Sequence, residues 1–193
     1  YGALVVQQKF NDFESQKNTA HSLATGEWVI SLDADEYLDD ELKAAIKEEL
    51  KDPKADGYNF FRLNSINGQW IHYSGWDKDI KLRLVKRVTS KWIGGYVHEV
   101  LFVEGKTQRL KGKLMHHSYL NLDHLFKKNN QYTTMEAQRD YEKGKRGRWL
   151  KLVTRPPWEI VRVFLLKKGY KDGFYGFAIA ASRAFYVFCK EAK

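Results

Sequence analysis

A single cysteine, Cys189, among 193 residues excludes an internal disulfide framework and suits a reducing compartment. No cysteine or histidine spacing resembles a zinc site. The chain has three prolines, no low-complexity tract and no internal repeat, so linker-rich and solenoid architectures are excluded. Long apolar runs are missing too. The nearest, residues 173–189, is short for a membrane span and is interrupted by Arg183. No charged region followed by an apolar segment marks a signal peptide, and Tyr1 already lies inside what reads as a strand, so the chain reads as a fragment.

What is present supports a folded domain. Hydrophobic residues make up 43%, aromatic residues 15% and charged residues 30%, and the length suits one domain, or one domain with an appendage. The net charge of +9 is unevenly spread. Residues 1–104 carry 13 Lys+Arg against 17 Asp+Glu, whereas residues 105–193 carry 20 against 7. A basic half of this kind is a solvated surface, or it faces anionic lipid, a phosphorylated substrate or nucleic acid. Nucleic acid ranks last, because no recognition motif accompanies the charge and the basic residues are interleaved with apolar helix faces.

Periodicity predicts a strand over 3–8, a helix from Ser15 as its cap to about Ala24, and a strand over 27–32. Together these form a right-handed parallel strand–helix–strand unit. A helix over 40–50 follows, with Leu42, Ala45, Ile46 and Leu50 on one face and Asp39 or Asp40 as its cap. Short strands are expected at 57–63, 80–86, 97–103, 108–110 and 112–118, with turns at Asn67-Gly68 and Glu104-Gly105. Beyond Leu120 the pattern turns helical, over 121–143, 156–168 and 173–191, with Pro156-Pro157 opening the second helix. That helix mixes Trp158, Ile160, Val161, Phe164 and Leu165 with Arg155, Arg162, Lys167 and Lys168. It reads either as an interfacial membrane helix or as an ordinary amphipathic helix packed on the domain.

The chemistry centres on Asp33-Ala34-Asp35, at the end of the 27–32 run. Alternation along a strand lets Asp33 and Asp35 point to one side, and two carboxylates at a strand's carboxyl end can seat a divalent cation shared with substrate phosphates. The alternative is a solvated acidic loop. Lys17 and Asn18, at the start of a helix, suit phosphate or ribose oxygens. On strand 80–86, Lys81, Arg83 and Val85 fall on one face, where Arg83 either clamps a phosphate or belongs to a solvated basic face.

These segments, in their order, resemble the family 2 glycosyltransferases with a GT-A fold, most closely lipopolysaccharide core glucosyltransferases. The pieces are Gln16-Lys17-Asn18, Asp33-Ala34-Asp35-Glu36, Asp79 with Arg83-Leu84, and Trp92-Ile93-Gly94-Gly95-Tyr96-Val97-His98-Glu99. His116-His117-Ser118-Tyr119 and Lys168-Gly169-Tyr170-Lys171-Asp172-Gly173 complete the set. The resemblance covers nearly the whole chain. It implies an α/β fold: a partial, Rossmann-like GT-A core with a mixed sheet over 1–119, lacking its first strand–helix–strand unit, and a basic helical region over 120–193.

By the same resemblance, the activity is metal-dependent, inverting transfer of a hexose, glucose above all, from a nucleoside diphosphate sugar to a lipopolysaccharide core or other glycolipid. Asp35 and Asp33 would hold Mg²⁺ or Mn²⁺, with Asp35 the more direct contact and His116 either a third contact or a surface residue of the strand end. Lys17, Asn18, Asp33 and Arg83 would bind the nucleotide sugar. Glu99 would be the general base, against the alternative of a strand glutamate facing water. Gly95 and His98 would lie on the acceptor side, and Lys128, four residues before Tyr132 on a helix, is acceptor-side or structural. The protein would then be cytoplasmic and peripheral on the inner face of a bacterial plasma membrane, against an anionic surface and without nucleic acid. The competing expectation is a truncated, inactive relative that binds membrane or a partner.

Overall fold

A computed structural model describes residues 2–94 and 99–193; Gly95, His98 and the expected strand start at Val97 lie outside the described residues. The chain divides into two compact units. The first comprises Tyr1–Arg62 and Ile80–Leu114, the second Leu63–Asp79 and Met115–Lys193, whereas the sequence reading puts one break at 119/120.

In the first unit, helix α1 (Phe13–Leu23) begins at N-cap Asp12, whose Oδ1 accepts the Ser15 amide at 2.7 Å. The expected cap, Ser15, is the donor instead. A carboxylate immediately ahead of the helix suits the amide-rich, positive end of the helix. Residues 3–8 form no strand, and Val5 is 88% exposed. Strand β1 (Trp28–Ile30) is shorter than expected and pairs antiparallel with Ile80–Lys86, Trp28 opposite Lys86 and Ile30 opposite Leu84. The expected parallel strand–helix–strand unit is therefore not formed. A strand exists only where a neighbour takes its N–H and C=O groups, and no described segment ladders with 3–8.

The rest of the sheet comprises β2 (Glu36–Leu38), β3 (Gly57–Ile66), β5 (Ile80–Lys86) and β8 (Thr107–Tyr119), with β4 (Gln69–Trp70) on the second unit's part of β3. The order is β1-β5-β3-β8-β2, and the sheet is mixed. One strand, β8, replaces the two expected at 108–110 and 112–118. It passes Gly112 at φ +92°, where a Cβ would lie 2.3 Å from the Leu42 amide nitrogen. Only glycine lets the strand run so close to the start of helix α2 (Asp40–Glu49). Asp39 is the cap of α2 and joins the two elements, its Oδ1 accepting from Leu42 N at 2.8 Å and Lys113 N at 3.0 Å.

Leu42 and Ile46 of α2 pack with Tyr58, Phe60, Leu84 and Leu114 as the main core, each large side chain contributing about 1.5–3 kcal/mol by burial. A second cluster joins Val85 to Trp92, Leu101 and Val103, from the antiparallel pair β6 (Ser90–Ile93) and β7 (Val100–Val103).

One irregularity matters for function. Tyr58 lies opposite Leu84 and Asn59 opposite Leu82, so Arg83 is the extra residue of a β-bulge. Bulges re-aim a side chain, and this one breaks the strict alternation expected for Lys81, Arg83 and Val85.

In the second unit, Asn67 and Gly68, both at positive φ, make the expected two-residue turn from β3 to β4. Helices α3 (Leu122–Glu142) and α5 (Gly173–Ala192) fall close to expectation. Helix α4 (Trp149–Val161) does not: it starts seven residues before Pro156, and both prolines lie inside it. Without their N–H groups, the carbonyls of Leu152 and Val153 lose their helical donors. That loss is tolerable on a helix with no buried residue. A π turn (Arg162–Leu166) extends α4.

The core of this unit is Ile66, Ile71, Leu125, Val163, Ile179 and Ala180. The 168–173 motif forms a clamp. Asp172 accepts the amides of His72 and Tyr73 and the Ser74 hydroxyl. Gly176 passes Gly169 so closely that a Cβ would come within 1.7 Å of its carbonyl oxygen. Among the described residues no helix is long and apolar enough to cross a membrane.

Candidate active site

After β1 the chain is pinned by Ser31 N–H donating to the Arg83 carbonyl at 2.9 Å, and it turns through residues 33–35 into β2, Glu36 N–H donating to Asp33 O at 3.0 Å. This turn delivers Glu36 inward and leaves Asp33 half-buried and Asp35 exposed. The Glu36 side chain is wholly buried. Its Oε1 accepts from Arg83 Nη2 at 2.7 Å and Arg62 Nη1 at 3.1 Å, and its Oε2 accepts the Asp33 amide at 3.1 Å. Arg83 Nη2 also reaches Asp33 Oδ2 at 2.8 Å. A carboxylate removed from water is tolerable because two guanidinium groups and a backbone amide meet it. Arg83 Nε is buried and has no hydrogen-bond partner among the described residues.

Lys17 completes the cluster. Its ammonium lies 3.3 Å from Asp33 Oδ1, 3.2 Å from Glu99 Oε1 and 4.3 Å from the centroid of the Trp92 ring. Helix α1 is held in place for this by Asn18, whose side-chain amide donates to the Trp92 carbonyl and accepts the Trp92 amide, both at 2.9 Å. Burial acts to raise the Asp33 carboxyl, but the Arg83 guanidinium and the Lys17 ammonium outweigh it, and the group sits below the ordinary aspartate value.

Two clefts meet at this cluster. One, of about 600 Å³, runs between α1 and the end of β1, walled by Phe13, Ala20, Val29 and Ile30. The other, of about 380 Å³, is lined by Asn59, Arg62, Lys81, Arg83 and Glu99. Both include Lys17, Asp33 and Trp92. The arrangement thus sets an apolar-walled space beside a charged one, with a cationic and carboxylate junction between them.

Of the expected site residues, Lys17, Asp33, Arg83 and Glu99 come together, and Asn18 lies behind them. Among the described residues, no three His, Cys, Asp or Glu side chains gather as a metal cluster. Carboxylates are hard oxygen ligands of the kind Mg²⁺ and Mn²⁺ take. Asp35 is exposed, whereas both Asp33 oxygens are engaged, Oδ1 by Lys17 and Oδ2 by Arg83, so a cation would share Asp33 with those two groups.

His116 belongs to the second unit. Its Nδ1 is 2.7 Å from Asn64 Oδ1 and 2.9 Å from Ser118 Oγ, and Asn64 Nδ2 donates to Asp79 at 3.0 Å. Lys128, also in that unit, places its ammonium 5.4 Å from the centroid of the Tyr119 ring. Gly95 and His98 lie outside the described residues.

Sequence reasoning missed Glu36 and Arg62 as site residues, and weighed Trp92 only as a sugar-stacking or core aromatic. Arg62, the one charged residue after Tyr58-Asn59-Phe60-Phe61, was a usable sign of a buried partner. Glu36 carried no such sign beyond its place after the aspartates.

No protein-family model matches the chain. The lipopolysaccharide core biosynthesis glycosyltransferase LpsC of Rhizobium meliloti (strain 1021) is 29% identical over 189 residues, covering 96% of this chain and 70% of LpsC. Uncharacterized glycosyltransferases of Rickettsia prowazekii (strain Madrid E) and Rickettsia typhi (strain ATCC VR-144 / Wilmington) are each 26% identical, covering all of this chain and 70% of their own length. The chain is a relative of curated glycosyltransferases, one of them a protein of lipopolysaccharide core biosynthesis.

Proposed function

We propose that this relative of the glycosyltransferases is itself a family 2, inverting enzyme. It would move a hexose, glucose in the first instance, from a nucleoside diphosphate sugar to a hydroxyl of a lipopolysaccharide core or similar glycolipid. The observation that carries the reading is Lys17, bridging Asp33 and Glu99 where the two clefts meet.

The apolar-walled cleft suits the nucleoside, and the cleft holding Glu99 suits the acceptor. Transfer is one displacement. The acceptor oxygen bonds to the anomeric carbon, the bond from that carbon to the diphosphate oxygen breaks, and the acceptor proton passes to the Glu99 carboxylate. Lys17 and Arg83 offset the charge that grows on the departing diphosphate. A divalent cation on Asp33 and Asp35 would add the same kind of stabilisation when bound. His116 and Lys128 carry no part of this reading.

A glycolipid acceptor puts the enzyme at a membrane face, and the basic excess of residues 105–193 supports a peripheral position on the inner surface. Calorimetric titration with UDP and Mn²⁺ tests the donor half of the reading. Heat that disappears in Asp35→Asn is the expected result; equal heat from both proteins would remove the metal and donor role from this strand end.

A further inference from the structure

Helix α4 is amphipathic in the opposite sense to a packed surface helix. None of its residues is buried, although its interior is rich in large apolar side chains. The side holding Leu152, Pro156 and Glu159 is half-buried, and Val163 continues that side into the unit's core. At helical spacing on the other side stand Leu150, Val153, Pro157, Val161 and Leu165, all exposed; Leu150 is 55%, Val153 62% and Leu165 54% accessible. Two tryptophans, Trp149 at 77% and Trp158 at 52%, sit at the rims of this apolar side.

Around the helix the charge is of one sign. Residues 143–172 hold ten Lys+Arg and two Asp+Glu. Of the two acids, Glu159 is taken by Arg162 and Asp172 by the amides of His72 and Tyr73 and the Ser74 hydroxyl. Arg155 is paired with Glu191, whereas Arg148 and Lys151 edge the same helix.

We propose that the outward side of α4 is a docking surface for an anionic lipid bilayer. The helix would lie in the plane of the interface, with Leu150, Val153, Val161 and Leu165 at the headgroup–acyl boundary. Three features fit this occupant together. An apolar stripe turned away from the fold has no other described partner within its unit. Tryptophans at its rims match the depth where indole rings settle at a bilayer surface. The surrounding positive charge is complementary to anionic headgroups and adds attraction for each Lys or Arg brought to the surface. The prolines inside α4 belong to the same picture, since they lie on a helix whose freed carbonyls need water or a polar interface, not a packed core.

The proposal stands apart from the catalytic reading, and its test keeps the two separate. The full chain is floated with phosphatidylcholine vesicles with and without phosphatidylglycerol. The expected result is binding to the anionic vesicles that falls roughly tenfold or more in the double variant Leu150→Ser/Val161→Ser, and falls with added salt. A second variant, Arg148→Gln/Lys151→Gln, is expected to weaken anionic-vesicle binding while retaining the blue shift of tryptophan fluorescence at high lipid. Circular dichroism of both variants should match the parent, because the substituted residues are not buried.

Glu99→Gln should float as the parent does, so a failed catalytic reading leaves this result intact. Equal flotation of parent and Leu150→Ser/Val161→Ser would overturn the proposal. So would sedimentation showing that the parent is a dimer which the double variant dissolves, since a second copy would then cover the stripe.

Discussion

The two units treat polarity in opposite ways. In the first, charge is drawn inward: Glu36 is wholly buried between Arg62 and Arg83, and Asp33 is held between Arg83 and Lys17. In the second, apolar surface is turned outward along α4. Each arrangement costs free energy by itself, through desolvated ions in one case and wetted leucines and tryptophans in the other. The lesson is that neither is a packing solution. Buried ions fix the geometry of a cleft at low dielectric, where they act strongly on a charged substrate. An exposed apolar stripe ringed with cations is built for something outside the chain.

The comparison is broken most severely at Glu36. Glu36→Gln removes the buried negative charge that Arg62 and Arg83 share, and urea unfolding should register a loss of about 3–5 kcal/mol. Close behind comes a matched pair of leucines. Leu84→Ala, in the core of the first unit, should cost about 2–5 kcal/mol, whereas Leu165→Ala on the α4 side should stay within about 0.5 kcal/mol of the parent. Equal costs at the two sites would erase the contrast.

Lys17→Met sharpens the other side. Donor KM should rise about tenfold, as one charge-assisted phosphate contact is lost, while the melting temperature moves little. The smallest effect is on pH dependence. The Asp33 carboxyl is held below its ordinary value, so its ion pairs stabilise the fold fully above the unfolded aspartate value of about 3.9 and are lost as pH falls through the lower folded value. Thermal melts of Asp33→Asn should therefore lose stability less steeply on acidification than the parent.

Much of this was legible in the sequence, but unevenly. Helices α2, α3 and α5 follow from their 3.6-residue spacing, and the Asn67-Gly68 turn from the positive φ that Asn and Gly tolerate. Asp33 and Lys17 were recognisable because strand ends and helix starts are local features. What escaped was non-local. Arg83 faces the site because β5 gains one residue against β3, and only the pairing register reveals a bulge. Glu36 looks like any acidic loop residue until Arg62 and Arg83, distant in sequence, close over it. Residues 3–8 have the composition of a strand but no described neighbour to pair with. The start of α4 was misplaced because prolines read as an opening, whereas both lie inside a helix that has no buried residue.

The central claim, that Lys17, Asp33 and Glu99 form one catalytic constellation, is tested most directly by Glu99→Gln, with transfer from UDP-glucose to a lipopolysaccharide-core acceptor and UDP affinity measured on the same protein. The account predicts a fall in kcat of about 10²–10⁴-fold with UDP affinity essentially unchanged. Transfer at the parent rate would contradict it.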